Sequence, residues 1–254
     1  MIRTRLLALA GVAAVGLAVS ACSGDGLSPA SLTSPASGAS ADKAGFNPFS
    51  SEPETASGGR EVILNPTVAE VMQASELPEM SWGSPNAPVT LIKYMSLTCP
   101  YCKRFHAEVY PVLKRDYIDT GKVRFIMREF PIGKSSGTAT VALRCAAPDK
   151  YLDLYSRFLG QQAQWVSQEV RTEAIFRVAA QAGVTQEQFN ACMTNQTLVK
   201  QLNGVKERGR KLGVIGTPNF FINGRLVKST VGIAELKAMI DPLIAGGAAV
   251  AKSN

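Results

Sequence analysis

The order of the secondary-structure elements predicted from the sequence indicates an α/β fold. An apolar run at residues 88–95 predicts a buried strand, an alternating run at 122–130 predicts a second strand, and a helical pattern separates the two. A helical block follows at about 134–212, ahead of a hairpin and a closing helix. We therefore expect one sheet with a helical domain inserted between its central strands.

The helix after the first strand is predicted from its apolar spacing. Apolar side chains recur there at intervals of three and four residues, which places them on one face. Pro111 lies inside this pattern and should kink the helix, because proline has no backbone N–H to donate. The apolar face contains Cys102, Phe105, Val109, Val112 and Leu113.

Two short apolar runs predict the hairpin near the end of the chain. Residues 219–222 and 225–228 flank Asn223-Gly224, and Asn-Gly between such runs is a strong signal for a two-residue turn. A helix at about 233–240 is expected to close the fold.

The first 21 residues are typical of a secretory signal. Arg3 and Arg5 precede an apolar run that is shorter than the roughly 20 residues a membrane-spanning helix needs, although an uncleaved anchor is an alternative. The residues before Cys22 resemble a bacterial lipobox, so we expect lipidation of Cys22 rather than a plain cut near Ala21. These features predict a lipid-anchored protein of the periplasm or cell envelope, where disulfides persist.

Residues 22–60 are expected to form a flexible linker. Of the 38 residues from 23 to 60, 25 are Ser, Gly, Ala or Pro, a composition that buries too little apolar surface to fold. The folded domain is expected at 61–247, with a tail at 248–254. The formal charge of +7 includes the two arginines of the signal, and the basic residues form no cluster, which argues against nucleic-acid binding.

The pair Cys99-Pro-Tyr-Cys102 has three possible roles. As a structural staple it would add little stability, because it closes a very small loop. As a zinc site it would need His106 and a further ligand from Cys145 or Cys192. The third role is the exchange of a disulfide with another protein.

The position of Cys99 favours disulfide exchange. A cysteine that follows a strand and begins a helix lies beside unpaired backbone N–H groups and the positive end of the helix dipole, and both favour the thiolate. Such settings lower a cysteine pKa from about 8.5 to as little as roughly 3.5. Pro100 suits the first turn of the helix, and Cys102, one turn further, should be buried and able to attack a mixed disulfide at Cys99.

Four cysteines follow Cys22 in the sequence, and four cysteines can pair in three ways. If Cys99 pairs with Cys102, then Cys145 and Cys192 are left to pair with each other. The alternative for these two is a pair of buried, reduced side chains that act as small hydrophobic groups.

A second motif, Gly216-Thr217-Pro218, stands directly before the hairpin. Together with Cys-Pro-Tyr-Cys after the first strand, it resembles the thioredoxin superfamily over roughly residues 80–243, and the helical block resembles the DsbA-like protein-disulfide oxidoreductases. This resemblance implies a thioredoxin fold in which Thr217-Pro218 is a cis peptide that lies against Cys99. The backbone of Thr217 would then bind an extended substrate chain.

The resemblance also implies a function. It predicts an enzyme that forms disulfides in unfolded or reduced exported proteins, is reoxidised by a membrane redox partner, and needs no cofactor or metal. The best-known periplasmic oxidase has histidine where Tyr101 stands, so we expect a milder oxidant here. Related proteins have an extra disulfide in the helical block, which would be Cys145–Cys192.

The sequence leaves two alternatives to an oxidase function open. Some isomerases of the superfamily share Cys-Pro-Tyr-Cys but dimerise through an N-terminal domain, for which residues 61–88 leave little room, so we expect a monomer. The chain could still work as an isomerase or reductase that a membrane reductant keeps reduced. It could also be a non-catalytic lipoprotein that uses a thioredoxin-like domain for binding.

Overall fold

The computed structural model describes residues 62–252, and side chains within residues 62–246. The predicted signal at 1–21, Cys22 and the predicted linker lie outside the described residues, as does part of the predicted tail. In the part described, no helix has the length and apolar character required to cross a bilayer.

The centre of the fold is a five-stranded mixed sheet. The strands lie in the order β1-β3-β2-β4-β5. The central strands β2 and β3 are parallel, with Val89 opposite Val123, and β4 runs antiparallel to β2. Their bounds are β1 Met80–Trp82, β2 Val89–Met95, β3 Val123–Glu129, β4 Asn219–Ile222 and β5 Arg225–Val227.

The predicted strands and hairpin are confirmed, and one strand was missed. Asn223 and Gly224 form the turn between β4 and β5, and both have positive φ, as a two-residue hairpin turn requires. Strand β1, unpredicted, pairs antiparallel with β3 at the edge of the sheet. Three residues are too few for a periodic signal.

The predicted helical insertion is confirmed. Six α-helices, α4 to α9, lie between β3 and β4 in the described chain, with a 3₁₀ turn at Pro148–Lys150. The helices are α1 Val68–Met72, α2 Pro100–Arg104, α3 Tyr110–Leu113, α4 Gly133–Cys145, α5 Tyr151–Gly160, α6 Gln162–Trp165, α7 Thr172–Ala180, α8 Gln186–Met193, α9 Gln196–Lys211 and α10 Ile233–Lys252.

The helical segment after Cys99 accommodates Pro111 by widening. The backbone is π-helical at Phe105–Val109 and again at Lys114–Ile118, on either side of α3. The Tyr110 N–H, for example, donates to the Phe105 carbonyl five residues earlier. Because Pro111 has no N–H to donate, the wider turns keep the neighbouring backbone groups bonded.

Alternation along β2 separates two apolar clusters. Leu91 and Met95 belong to a cluster that includes Cys102 and Phe105 of the helix after Cys99, and we call this side of the sheet the front. Ile92 and Tyr94 belong to a second cluster on the back, which includes Phe130 and Phe221. The front face therefore supports the cysteine pair.

Candidate active site

Cys99 is the N-cap residue of α2. Its backbone is extended (φ −77°, ψ 119°), while Pro100 is the first helical residue, where its missing N–H costs nothing. The Gln162 side chain of α6 donates to the carbonyl oxygens of Leu97 and Cys99, at 2.7 and 3.2 Å. The inserted helices thus hold the loop that presents Cys99.

Several hydrogen bonds favour the Cys99 thiolate. The backbone N–H of Cys102 donates to the Cys99 sulfur at 3.4 Å, and the Cys102 side chain also hydrogen-bonds to it. In the protonated form, the Cys99 thiol donates to the Thr217 carbonyl oxygen at 3.0 Å. The hydrogen bond with the Cys102 side chain is the largest cause that lowers the pKa of Cys99, to about 5, against an opposing effect of burial. At neutral pH the site therefore holds a nucleophilic sulfur.

Cys102 lies behind Cys99 and has no exposed surface. Burial raises the pKa of Cys102 well above its ordinary value, and its hydrogen bond with Cys99 acts in the same direction. The structure holds both residues as free thiols. Cys99, which is 9% exposed, is therefore ionised at neutral pH, whereas the fully buried Cys102 is protonated.

The loop before β4 places Thr217 and Pro218 beside Cys99. The Thr217–Pro218 peptide bond is cis, as expected. A side-chain atom added at Gly216 would meet nothing within 4 Å, so a substrate backbone can approach there. The buried Thr217 hydroxyl has no hydrogen-bond partner in the part of the chain that the structure describes.

Exposed apolar side chains surround the cysteine pair. Tyr101 is 52% exposed, with the Arg104 guanidinium 5.3 Å from its ring centroid. Ile132, whose carbonyl accepts from Thr98, is 49% exposed, and Ile215 is 75% exposed. The two isoleucines were not predicted from the sequence, because only the tertiary fold brings them to this loop cluster.

Lys93 was also missed, although its signal is visible in the sequence. It is a charged residue in the middle of an apolar strand, six positions before Cys99, and it has no exposed surface. Its ammonium donates to the Tyr155 hydroxyl at 3.0 Å and lies 4.4 Å above the Phe105 ring. Burial lowers the pKa of Lys93 to about 8, and the charges of Cys102 and Cys99 oppose that shift.

The His106 side chain is held by neighbouring side chains and is not placed as a metal ligand. Its Nε2 lies 2.7 Å from the Ser156 hydroxyl, and its ring stacks on Tyr110. Burial, followed by the charge of Lys93, lowers the pKa of His106 to about 4, so the ring is neutral at pH 7. Among the described residues, no cluster of three or more His, Cys, Asp or Glu side chains is arranged to hold a metal ion.

The other two cysteines lie in the inserted helices. Cys145 at the end of α4 forms a disulfide with Cys192 of α8, with the Cα atoms 6.0 Å apart. The remaining predicted sites, Cys99 to Cys102 and Thr217-Pro218, come together at the carboxyl end of the central strand β2, where β4 begins.

Comparison with known proteins identifies the family. A family model described as thioredoxin matches residues 75–242, about two thirds of the chain. The crystal structure of alpha-DsbA1 from Wolbachia pipientis is 27% identical, has a TM-score of 0.65, and covers 74% of this chain and 100% of that one. The match with disulfide bond formation protein D of Bacillus subtilis has 25% identity and covers 65% of this chain and 76% of the relative.

A Rickettsia bellii protein, provisionally named a protein-disulfide oxidoreductase, is 29% identical over 171 residues, covering 65% of this chain and 64% of the relative. The chain thus aligns with less than two thirds of that protein. The fold, with its helical insertion between β3 and β4, agrees with these matches. The chain therefore belongs to the thioredoxin family, and its fold is that of the DsbA-like members of the superfamily.

Proposed function

We propose that the chain is an exported thiol:disulfide oxidoreductase that forms disulfides in other exported proteins through Cys99 and Cys102. The observation that carries this proposal is the difference between the two cysteines. Cys99 lies beside Thr217 and has a pKa of about 5, whereas Cys102 is enclosed behind it. A stabilised thiolate is a good leaving group, so the reduced pair is favoured and the disulfide becomes an oxidant.

The proposed reaction begins with the Cys99–Cys102 disulfide. A substrate thiolate attacks the Cys99 sulfur, the Cys99–Cys102 bond breaks, and Cys102 leaves with the electron pair and takes a proton. A second substrate thiolate then attacks the substrate sulfur of the mixed disulfide, and Cys99 leaves as the thiolate favoured by its environment. The substrate loses two electrons and gains a disulfide, and the enzyme becomes the dithiol.

Substrate binding is proposed to rely on backbone and apolar contacts. The Thr217 backbone before β4 can pair with an extended chain, which gives affinity without reading a sequence. A cavity of about 180 Å³ beside the pair is lined by residues that include Tyr101, Phe105 and Pro218. Together with exposed Ile132 and Ile215, it offers apolar surface to reduced, unfolded polypeptides.

The direction of exchange is proposed to be oxidation. The name of the Bacillus relative, a disulfide bond formation protein, favours this direction. Tyr101 cannot carry the positive charge of a histidine at this position, so we expect a milder oxidant than the best-known periplasmic oxidase. A potential nearer −120 mV would support oxidation, and one near −270 mV would indicate a reductase or isomerase.

Activity is tested with reduced or scrambled ribonuclease and with insulin. The wild-type chain should regenerate ribonuclease activity in a glutathione buffer, and Cys99→Ser should not. Equal inactivity of both proteins in every assay would instead favour a non-catalytic binding lipoprotein. Thiol trapping in growing cells then reports whether the pair is mainly oxidised, as an oxidase requires.

We propose that a membrane protein reoxidises the Cys99–Cys102 pair by accepting two electrons through its own disulfide. We propose that Cys22 is lipidated and anchors the chain, and that residues 23–60 act as a tether with a span of roughly 35 Å. Metabolic labelling with a fatty-acid analogue should mark the wild type and not Cys22→Ser. Recovery of Cys22→Ser in the membrane fraction, or its labelling, would contradict the anchor.

A further inference from the structure

A buried lysine lies on the front face of the sheet, among the residues that surround the cysteine pair. Lys93 has no exposed surface, and among the described residues it forms no salt bridge with a carboxylate. Its hydrogen-bond partner is the neutral hydroxyl of Tyr155, and its ammonium lies over the Phe105 ring. A buried ammonium without a counter-ion is costly, so the site needs a nearby negative charge.

The cysteine sulfurs are the nearby groups that can supply this charge. Phe105 follows Cys102 by three residues along the helical segment, so both project from the same face toward β2. Cys102 and Cys99 both raise the pKa of Lys93, and Lys93 in turn lowers that of Cys102. Lysine and sulfurs therefore influence each other's protonation.

We propose that Lys93 is a positioning residue of the disulfide exchange, whose amine takes up a proton when the Cys99–Cys102 disulfide is reduced and releases it when the disulfide forms. This inference rests on the proposed function. It adds a charge balance inside the protein, because the negative charge left on sulfur by reduction is matched by a positive charge on the lysine.

The electrons and protons balance as follows. Reduction of the disulfide by a substrate dithiol adds two electrons, which appear as the Cys99 thiolate and the Cys102 thiol, and the thiol accounts for one proton. The second proton binds the Lys93 amine. Without the lysine, the same two electrons would be accompanied by one proton at neutral pH.

The effect belongs to a defined pH range. With the sulfurs reduced, the pKa of Lys93 is about 8. In the disulfide form the negative charge of the Cys99 thiolate, which raises the pKa of Lys93, is gone, so that pKa is lower. Below the pKa that Lys93 has in the disulfide form, both forms of the protein bind the proton, and above about pH 8 neither form does. Between these limits only the reduced form binds it, so the reduction potential falls more steeply with rising pH.

The other titratable groups around Lys93 are constant across this range. Cys99 titrates near pH 5, and His106 is neutral above about pH 4. The Tyr155 and Cys102 pKa values are raised well above their ordinary values, so both groups are protonated. The pKa of Tyr110, stacked on His106, is about 12. A change in slope between pH 6 and 8 therefore reports Lys93.

The test is the reduction potential of the full chain, measured against glutathione between pH 6 and 9, in the wild type and in Lys93→Met. For a two-electron couple each bound proton changes the exchange equilibrium tenfold per pH unit, or about 30 mV. The wild type should approach about 60 mV per pH unit below pH 8, and Lys93→Met about 30 mV per unit. At pH 6 the variant should be the weaker oxidant, and the two should converge above pH 8.

The matched control is Lys206→Met. Lys206 is also buried and lies 6.0 Å from the centroid of the Phe130 ring, a member of the cluster on the back of the sheet. The control should keep the wild-type slope, because the same substitution is made away from the sulfurs. Equal slopes in Lys93→Met and the wild type would overturn the inference.

A second measurement needs no variant and so does not depend on how Lys93→Met folds. Lysine labelled with ¹³C at Cε reports the titration of Lys93 in the oxidised and the reduced wild-type chain. The midpoint should be near 8 in the reduced form and lower in the oxidised form, and identical midpoints would contradict the coupling. A wild-type chain that does not exchange with glutathione at all would instead refute the proposed function.

Discussion

At the scale of single residues, the cysteine pair shows how one helix turn creates two different sulfurs. Cys99 caps α2 and receives the backbone N–H of Cys102, whereas Cys102, three residues later, faces the front cluster and has no exposed surface. Donors stabilise the charge on the first sulfur, and burial opposes it on the second. The asymmetry follows from the two positions in the helix and from the burial of Cys102 against the front cluster.

Two glycines of α9 give a paired prediction of stability. A Cβ added at Gly209 would lie 2.6 Å from the Tyr94 ring and 3.2 Å from Phe130, whereas one added at Gly204 would meet nothing within 4 Å. We expect Gly209→Ala to lower the free energy of unfolding by about 2 kcal/mol through overpacking. Gly204→Ala should raise it by about 0.5–1 kcal/mol. Urea unfolding measures both, and equal effects would show that α9 can shift away from the sheet.

At the scale of elements, the inserted helices are tied to the sheet by a buried ionic group. Glu129, the last residue of β3, accepts hydrogen bonds from Arg144 of α4 and from the Tyr151 hydroxyl of α5, the latter at 2.8 Å. Arg144 also donates to the Pro78 carbonyl at 2.8 Å. One carboxylate thus joins two inserted helices to the central strands.

Removing one partner of this group should be costly. Arg144→Met leaves the Glu129 carboxylate buried without its cation, and we expect a loss of about 3–5 kcal/mol in the free energy of unfolding. Arg157→Met is the control, because its pair with Asp153 is exposed on α5 and should contribute less than about 0.5 kcal/mol. A small loss for Arg144→Met would mean that water reaches Glu129 in solution.

The disulfide between α4 and α8 should stabilise the insertion without taking part in exchange. It closes a loop of 47 residues, for which the chain-entropy model gives about 4 kcal/mol. We expect Cys145→Ala/Cys192→Ala to lose about that free energy of unfolding while the Cys99 pKa is unchanged, as ultraviolet absorbance of the thiolate can measure. A shifted Cys99 titration would show that the disulfide also supports the cysteine pair.

At the scale of the whole molecule, the sequence predicted those elements of the fold that depend on neighbouring residues. Strands β2 and β3, the hairpin at Asn223-Gly224 and the inserted helices are encoded in patterns of neighbouring residues. The exposed apolar residues around Cys99 and the three-residue strand β1 depend on which distant segments the fold brings together, and no local pattern encodes that. Lys93 was the exception, since a lysine inside an apolar strand was a visible signal.

The reduced protein should gain stability as the pH rises. The pKa of Cys99 is about 5 in the folded chain and ordinary in the unfolded chain, so the unfolded state binds more protons between these values. The thiolate's contribution is complete above the unfolded pKa and is lost as the pH falls through about 5. Between pH 5.5 and 8, reduced wild type should gain about 2 kcal/mol relative to reduced Cys99→Ser, after allowing for solvent screening.

This difference is read from urea unfolding under reducing conditions at several pH values. The comparison with Cys99→Ser cancels the contributions of the ionisable groups that do not interact with Cys99. A difference that does not change with pH would mean that Cys99 is protonated in the folded chain.

The enclosure of Cys102 has a kinetic consequence for the proposed cycle. Because Cys102 has no exposed surface and Cys99 is 9% exposed, a client chain and the reoxidising protein would both react at the Cys99 sulfur, beside the same Thr217 backbone. They cannot occupy the enzyme together, so turnover must alternate between two half-reactions. Steady-state rates measured against both reactants should therefore give the parallel double-reciprocal lines of a ping-pong scheme.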